Sequence, residues 1–273
     1  MKKGWLVLVV WMGCMATVWG QHYPLYNQYM HNQFVINPAY AGSRDKLSIT
    51  GLFRRQWLGI QGAPQTEAIY FHTPLPNGKN NIGVSAVLDR LGVTYRNSFN
   101  LTYAYRMEVG KKGARLAFGL QGGVASLQNR WQNVDTDQPG DNVFQGNTSP
   151  IWVPAVGFGA YFDTKRFYIG LSAPYLLEYH NSAFDLFINA NDSLGSARPT
   201  MLATGCVLRL NPDLLLRPSV MLKYVRNSPA QLDLNLQLVM KDIVWVGASY
   251  RTGGTLVGML GFQFNPQLKL GYS

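Results

Sequence analysis

Through much of the chain, apolar and polar residues alternate at every second position. In residues 98–106, Phe99, Leu101, Tyr103 and Tyr105 fall on one face and Ser98, Asn100, Thr102, Ala104 and Arg106 on the other. Residues 232–241 set Leu232, Leu234, Leu236, Leu238 and Met240 against Asp233, Asn235, Gln237, Val239 and Lys241. A side-chain period of two belongs to a β-strand with one apolar face. Wound as a helix, the same leucines would point to all sides. Glycine joins the alternation. Ala117, Gly119, Gln121 and Gly123 oppose Leu116, Phe118, Leu120, Gly122 and Val124, and Gly261 shares a face with Thr255, Val257, Met259 and Gln263. Small residues on the inner face of a barrel let strands curve and leave room for lumen contents.

The pattern predicts thirteen strands, at 46–55, 65–73, 82–90, 94–107, 114–125, 151–163, 166–173, 199–210, 214–226, 230–241, 243–251, 254–264 and 267–273. Turn residues separate them, among them Asn77-Gly78, Asp163-Thr164, Asn211-Pro212-Asp213, Lys241-Asp242 and Asn265-Pro266. The long irregular stretches are 126–150 and 174–198. The second contains Tyr175, Leu176, Leu177, Phe184, Leu186, Phe187 and Ile188, and reads as a plug, a short helix or a further strand. Bacterial single-chain barrels close with an even strand number, and the last segment, Gln267 to Ser273, has no aromatic terminal residue. The expected fold is therefore an all-β, antiparallel transmembrane outer-membrane β-barrel, with about 14 strands in the full-length form and the last one missing here. The other explanation of the odd count is a strand overlooked in 174–198.

Composition supports a membrane barrel over a soluble sheet. Charged residues make up 14% of the chain, against about 25% in water-soluble domains. Trp57, Tyr70, Phe71, Tyr103, Tyr105, Trp152, Phe162, Tyr168, Trp245, Tyr250 and Tyr272 lie where they could form interfacial girdles, the rival reading being a soluble all-β core. The chain opens with Lys2 and Lys3 and an apolar run from Trp5 to Met12, followed by Val18 and Gly20 ahead of Gln21. That is the pattern of a cleaved signal peptide over 1–20. An uncleaved anchor, or a lipid attached at Cys14, fits less well. Residues 21–45 form an N-terminal periplasmic or plug segment, and 46–273 the barrel domain.

Formal charge is +10, or +8 without Lys2 and Lys3. Arg and Lys are scattered singly at strand ends and in loops, so nucleic acid is not an expected partner, while lipid headgroups or an acidic partner are compatible. Past Cys14 the chain has Cys206 alone, so no internal disulfide forms, and a small apolar packing role is expected. His22, His31, His72 and His180 show no metal spacing. Asp135, Asp137 and Asp141 match a calcium loop poorly. His180 and Asp185 do not define a triad. No catalytic residue, metal or cofactor is expected, and the chain reads as a non-enzyme.

Several ordered blocks are recognisable: Gln28-Tyr29-Met30, Ile36-Asn37-Pro38-Ala39-Tyr40-Ala41-Gly42-Ser43, Arg55-Gln56-Trp57-Leu58-Gly59, Gly62-Ala63-Pro64-Gln65-Thr66, Asp89-Arg90-Leu91-Gly92, Tyr103-Ala104-Tyr105-Arg106, Arg166 to Ser172, Pro174 to Leu177, Leu216-Arg217-Pro218-Ser219 and Lys223-Tyr224. With them the chain resembles the PorP/SprF family, outer-membrane components of the Bacteroidetes type IX secretion and gliding machinery. The resemblance implies a monomeric barrel working with other envelope proteins, including a periplasmic peptidoglycan-associated partner, and helping to deliver or anchor adhesins whose C-terminal domain is the secretion signal. It carries over no catalytic residues. It also implies strand sequence beyond Tyr272.

Asn37, Pro38, Tyr40 and Gly42 lie in a segment too rigid and too poor in charge for a flexible tail. It is expected to pack inside or beneath the barrel as a plug, with Pro38 fixing the backbone and Tyr40 filling space. The same residues, with Arg55 and Trp57, are the candidate partner-docking positions. The alternative function is a general porin or small-solute channel, which the polar positions Asp233, Asn235, Gln237 and Lys241 would suit. An enzyme acting on lipid is the remote third class.

Overall fold

The computed structural model describes residues 26–110, 113–131, 146–176, 199–225 and 228–273. Where the sequence alternates, strands form: β1 Ser48–Arg55, β2 Gln65–Pro74, β3 Asn80–Leu91, β4 Thr94–Val109, β5 Ala114–Asn129, β6 Ile151–Asp163, β7 Phe167–Ala173, β8 Thr200–Cys206, β9 Leu208–Asn211, β10 Leu214–Tyr224, β11 Gln231–Met240, β12 Val244–Arg251, β13 Thr255–Gln263 and β14 Lys269–Tyr272. They form one 14-stranded antiparallel sheet in chain order, with β9 off the path and paired to β10. The stretch 199–210, expected as one strand, is broken at Val207. Both pieces pair with β10, and a register shift lies between Leu214 and Leu215. Val207 instead donates its N–H to the Arg166 carbonyl at 2.8 Å.

The turns follow local chemistry. Asn77 Oδ1 accepts from the N–H of Lys79 at 3.1 Å and of Asn80 at 2.9 Å, closing the β2–β3 turn. Lys241 and Asp242 both take positive φ, 50° and 55°, at the centre of a tight turn that Ile243 closes by donating its N–H to the Met240 carbonyl at 2.9 Å, a backbone that matches strand twist. The strand ends joined by 75–79, 110–113, 164–166, 212–213, 241–243 and 264–268 lie at one end of the sheet, from which β1 is entered. Those joined by 56–64, 92–93, 130–150, 174–199, 225–230 and 252–254 lie at the other. Among the described residues β1 and β14 are the sheet's two edges, and no ladder joins them. No helix among these residues is long and apolar enough to cross a membrane. Residues 177–198 and the aspartates 135, 137 and 141, weighed above as strand, plug or calcium loop, lie outside the described residues.

Burial runs opposite to that of a water-soluble fold. Leu101 and Leu120 are 57% and 58% exposed, while their polar neighbours on the concave face, Asn100 and Thr102, are 3% and 5% exposed. A polar interior and an apolar outer band are the arrangement of a membrane barrel. The apolar core is built around the N-terminal segment. Phe34 and Ala41 complete a cluster with Ala68, Tyr70, Val87 and Ala104. Tyr29 and Ile36 complete another with Met201, Ala203 and Met221. Met30 packs on Val239, Trp245 and Met259.

Candidate functional site

The N-terminal segment fills the concave side of the sheet, and its middle is fastened by backbone chemistry. Asn37 caps a short 3₁₀ turn, Pro38–Tyr40, by accepting from the Ala39 N–H at 2.9 Å. Pro38 suits the first position of such a turn because its fixed φ is already helical and it lacks an N–H to satisfy. The Asn37 amide also donates to the carbonyls of Ala160 at 3.0 Å and Leu171 at 3.4 Å. Ser172 donates its hydroxyl to the Ile36 carbonyl at 2.6 Å. These contacts need a wall without side chains. A Cβ on Gly119 would fall on the Pro38–Ala39 peptide, and one on Gly159 on the Asn37 amide oxygen.

Tyr40 and Gly42 continue the segment toward the short-turn end. The Tyr40 ring meets Tyr161 edge-on at 5.3 Å and His72 at 5.8 Å. Gly42, at φ 71°, donates its N–H to Nδ1 of the buried His72 at 3.0 Å. Any Cβ there would collide with Asn81, whose amide spans to the Lys79 and Ala104 carbonyls at 3.0 and 3.2 Å.

Charged groups hold both flanks. Asp45 accepts from Arg106 at 2.6 Å and from Arg115 at 2.7 Å, and Arg115 reaches Asp163 at 2.6 Å, so the segment is tied to β4, β5 and β6. Burial opposes ionisation of Asp45, but the bonds from Arg115 and Arg106 outweigh it and hold the carboxyl below its ordinary value. On the far wall, Arg251 and Asp233 form a buried pair at 2.8 Å. Arg251 also reaches the Asn27 amide oxygen at 3.4 Å. Asn235 donates to the Tyr29 hydroxyl at 2.8 Å. The His31 ring packs against that of Trp245 in a tilted arrangement, centroids 4.2 Å apart, and the Gln237 amide nitrogen lies 2.6 Å from its Nε2. Burial, with Lys269, Arg217 and Arg44 nearby, lowers the His31 pKa to about 3, so the ring is neutral.

Of the sequence-predicted site residues, the structure brings Asn37, Pro38, Tyr40 and Gly42 together and sets Arg55 and Trp57 apart, the first ending β1 at its far end and the second just past it. The sequence reading missed His72, Asn81, Arg106, Asp45, Arg115 and the Arg251–Asp233 pair. Parity along β4 and β11 could have flagged Arg106 and Asp233, since both stand on the polar face. The aromatic girdle needs correction at three places: Tyr70 and Trp245 are buried on the concave side, and Tyr168 packs there against the clusters around Tyr29 and Ala39. Trp57, Trp152, Tyr103, Tyr250 and Tyr272 are exposed.

A family model described as type IX secretion system membrane protein PorP/SprF matches residues 18–273. The chain belongs to that family. Comparisons with curated proteins and with solved structures find no match. In this PorP/SprF protein the blocks seen in the sequence fall on distinct parts of the fold. Asn37 to Gly42 forms the middle of the concave filling. Arg55 to Gly59 opens the connection 56–64, and Asp89 to Gly92 ends β3 beside it. Gly92 donates its N–H to the Gly62 carbonyl at 2.8 Å, so those two blocks touch.

Proposed function

We propose that this PorP/SprF protein is a non-enzymatic outer-membrane barrel of the type IX secretion and gliding machinery that helps deliver or anchor secreted adhesins at the cell surface. Its export uses a cleaved signal peptide over 1–20. The short-turn end faces the periplasm, as short turns do in outer-membrane barrels. There the end of the N-terminal segment, around Gly42 and Asp45, meets a peptidoglycan-associated partner. The adhesin C-terminal domain is the second protein contact. One observation carries the reading: family membership joined to a sheet that is apolar outside and polar inside, its concave side occupied by its own N-terminal segment.

That occupancy supports a scaffold over a general porin, whose lumen must stay open to water. Purified protein in a planar bilayer is expected to show no large, steady conductance. Deleting the gene and following the surface level of a co-encoded large adhesin tests the main reading. Loss of adhesin from the surface is expected, and an unchanged level overturns it.

A further inference from the structure

Cross-strand register lines up Arg55 on β1, Gln65 on β2, Arg90 on β3, Tyr95 on β4 and Gln128 on β5 in one outward-facing row at the long-connection end. Rows nearer the middle of the same strands are apolar, such as Gly51, Ile69, Ala86, Phe99 and Val124. At the other limit stands the row Asn80, Tyr105 and Phe118. Along β3 the rise from Asn80 to Arg90, at ~3.3 Å per residue and a tilt of about 40°, gives roughly 25 Å, the height of an outer-membrane apolar band. The Arg55 row therefore sits at headgroup level.

The side chains of this row are held in place. The Arg55 guanidinium lies 5.3 Å over the Phe53 ring. Arg90 and Arg130 lie 5.1 and 4.2 Å over the same Tyr95 ring, and Arg130 donates from Nε to Gln128 at 3.2 Å. Among the described residues no carboxylate pairs with these three arginines. Glu67, one row inward, accepts from Gln65 at 2.6 Å. Asp89, next to Arg90, turns to the concave side and accepts from Thr66 at 2.5 Å. Two guanidiniums sharing one ring, without a counter-ion, suit a shared anion.

Beside the row is a cleft of about 180 Å³, lined by Arg55, Gln65, Arg90 and the connection 56–64. The connection is tied across its base by Gln56 N–H to the Pro64 carbonyl at 3.0 Å and to the β3–β4 turn through Gly62. It presents Trp57, Leu58 and Ile60, all exposed. Trp57 is at φ 50°, a left-handed backbone that a bulky residue rarely adopts. The loop thus holds its apolar side chains outward against local preference.

We propose that this cleft binds the phosphate group of a membrane lipid in the leaflet at the long-connection end. Arg55 and Arg90 stand two strands apart, about 10 Å at the backbone, and their forked guanidiniums converge on the phosphoryl oxygens with Arg130 behind them. Trp57, Leu58 and Ile60 lie on the lipid's apolar part. The site rests on the outer-membrane reading above, and the experiment separates the two.

The full chain, folded in detergent, is mixed with lipid A carrying its phosphate monoesters, with the same lipid dephosphorylated, and with inorganic phosphate, and retained lipid is read by native mass spectrometry. Retention of the phosphorylated form by about tenfold over the dephosphorylated one is expected. An R55Q/R90Q/R130Q variant should lose that preference while keeping the wild-type heat-dependent gel mobility. Arg90→Lys, which keeps the charge and loses the fork, should retain part of it, and Glu67→Gln should not weaken it. Equal retention of both lipids, an unaltered triple variant, or full displacement of lipid by equimolar inorganic phosphate overturns the proposal. Failure of the wild-type chain to enter outer membranes on cell fractionation overturns the membrane reading instead.

Discussion

The Ala39 backbone crosses directly over Gly119 of β5, so closely that a Cβ on the glycine would occupy the space of the peptide between Pro38 and Ala39. Glycine in a strand interior weakens the strand, and here that cost is met by seating the N-terminal segment on bare backbone. The same relation holds at Gly159 of β6, which faces Asn37 and Pro38, whereas Gly123 and Gly157 make room for Asn100 and Pro174.

Gly119→Val should push the Pro38–Ala39 turn off its seat and break the Asn37 bonds to Ala160 and Leu171. Overpacking of this kind costs about 1–3 kcal/mol. Urea unfolding followed by heat-dependent gel mobility should show a lower midpoint. Gly258→Ala, where a Cβ meets nothing within 4 Å, should leave it nearly unchanged.

Asp45 is the hinge of the short-turn clamp. Its side chain is 65% exposed while Arg106 is 4% exposed, so the ion pair itself contributes on the order of 1 kcal/mol. Asp45→Asn should therefore cost about 1–2 kcal/mol, the part beyond the ion pair coming from leaving Arg106 short of a partner. The folded carboxyl ionises below its ordinary value, so this stabilisation is present above that value and is lost as pH falls through the lowered one. A wild-type stability curve that falls below pH ~4, and a flatter one for the variant, is the expected pair of results.

Arg251 and Asp233 are 7% and 1% exposed, and breaking a buried pair from one side costs roughly 3–5 kcal/mol. Asp233→Ala should thus be the most damaging of these substitutions. Asp233→Ala with Arg251→Met should recover much of the loss, measured as a double-mutant cycle in urea.

His31 is neutral when seated. Its pKa is lowered to about 3 by burial, chiefly, and by the nearby Lys269, Arg217 and Arg44, against about 6.5 in the unfolded chain. Seating is therefore fully favourable above about pH 6.5 and weakens as pH falls toward 3, because the released ring takes a proton that the seated ring refuses. Acidification should raise protease cleavage within 26–46 across that window, and His31→Gln should flatten the response. Cleavage independent of pH in the wild type would sink the idea.

Alternation in β4 and β11 could be read from residue order alone, because a strand's side chains alternate whatever surrounds it. The parity of Gly119 was legible for the same local reason. The break at Val207 was not, since it reflects a bond to Arg166 on the neighbouring hairpin. Nor was the inward turn of Tyr70 and Trp245, which depends on having Phe34 and His31 to pack against.

Residue order, then, determined strands, turns and an apolar outer face, all set by contacts within a few residues and by a period of two. Only the tertiary structure decided which groups meet. Asp45 finds Arg106 across 61 positions of chain, and Arg55, Gln65, Arg90 and Tyr95 become neighbours only once three hairpin registers are set. A register slip of one residue turns every side chain to the other face, so neither the clamp around Asp45 nor the basic row beside Trp57 exists until the whole sheet has formed around its N-terminal filling.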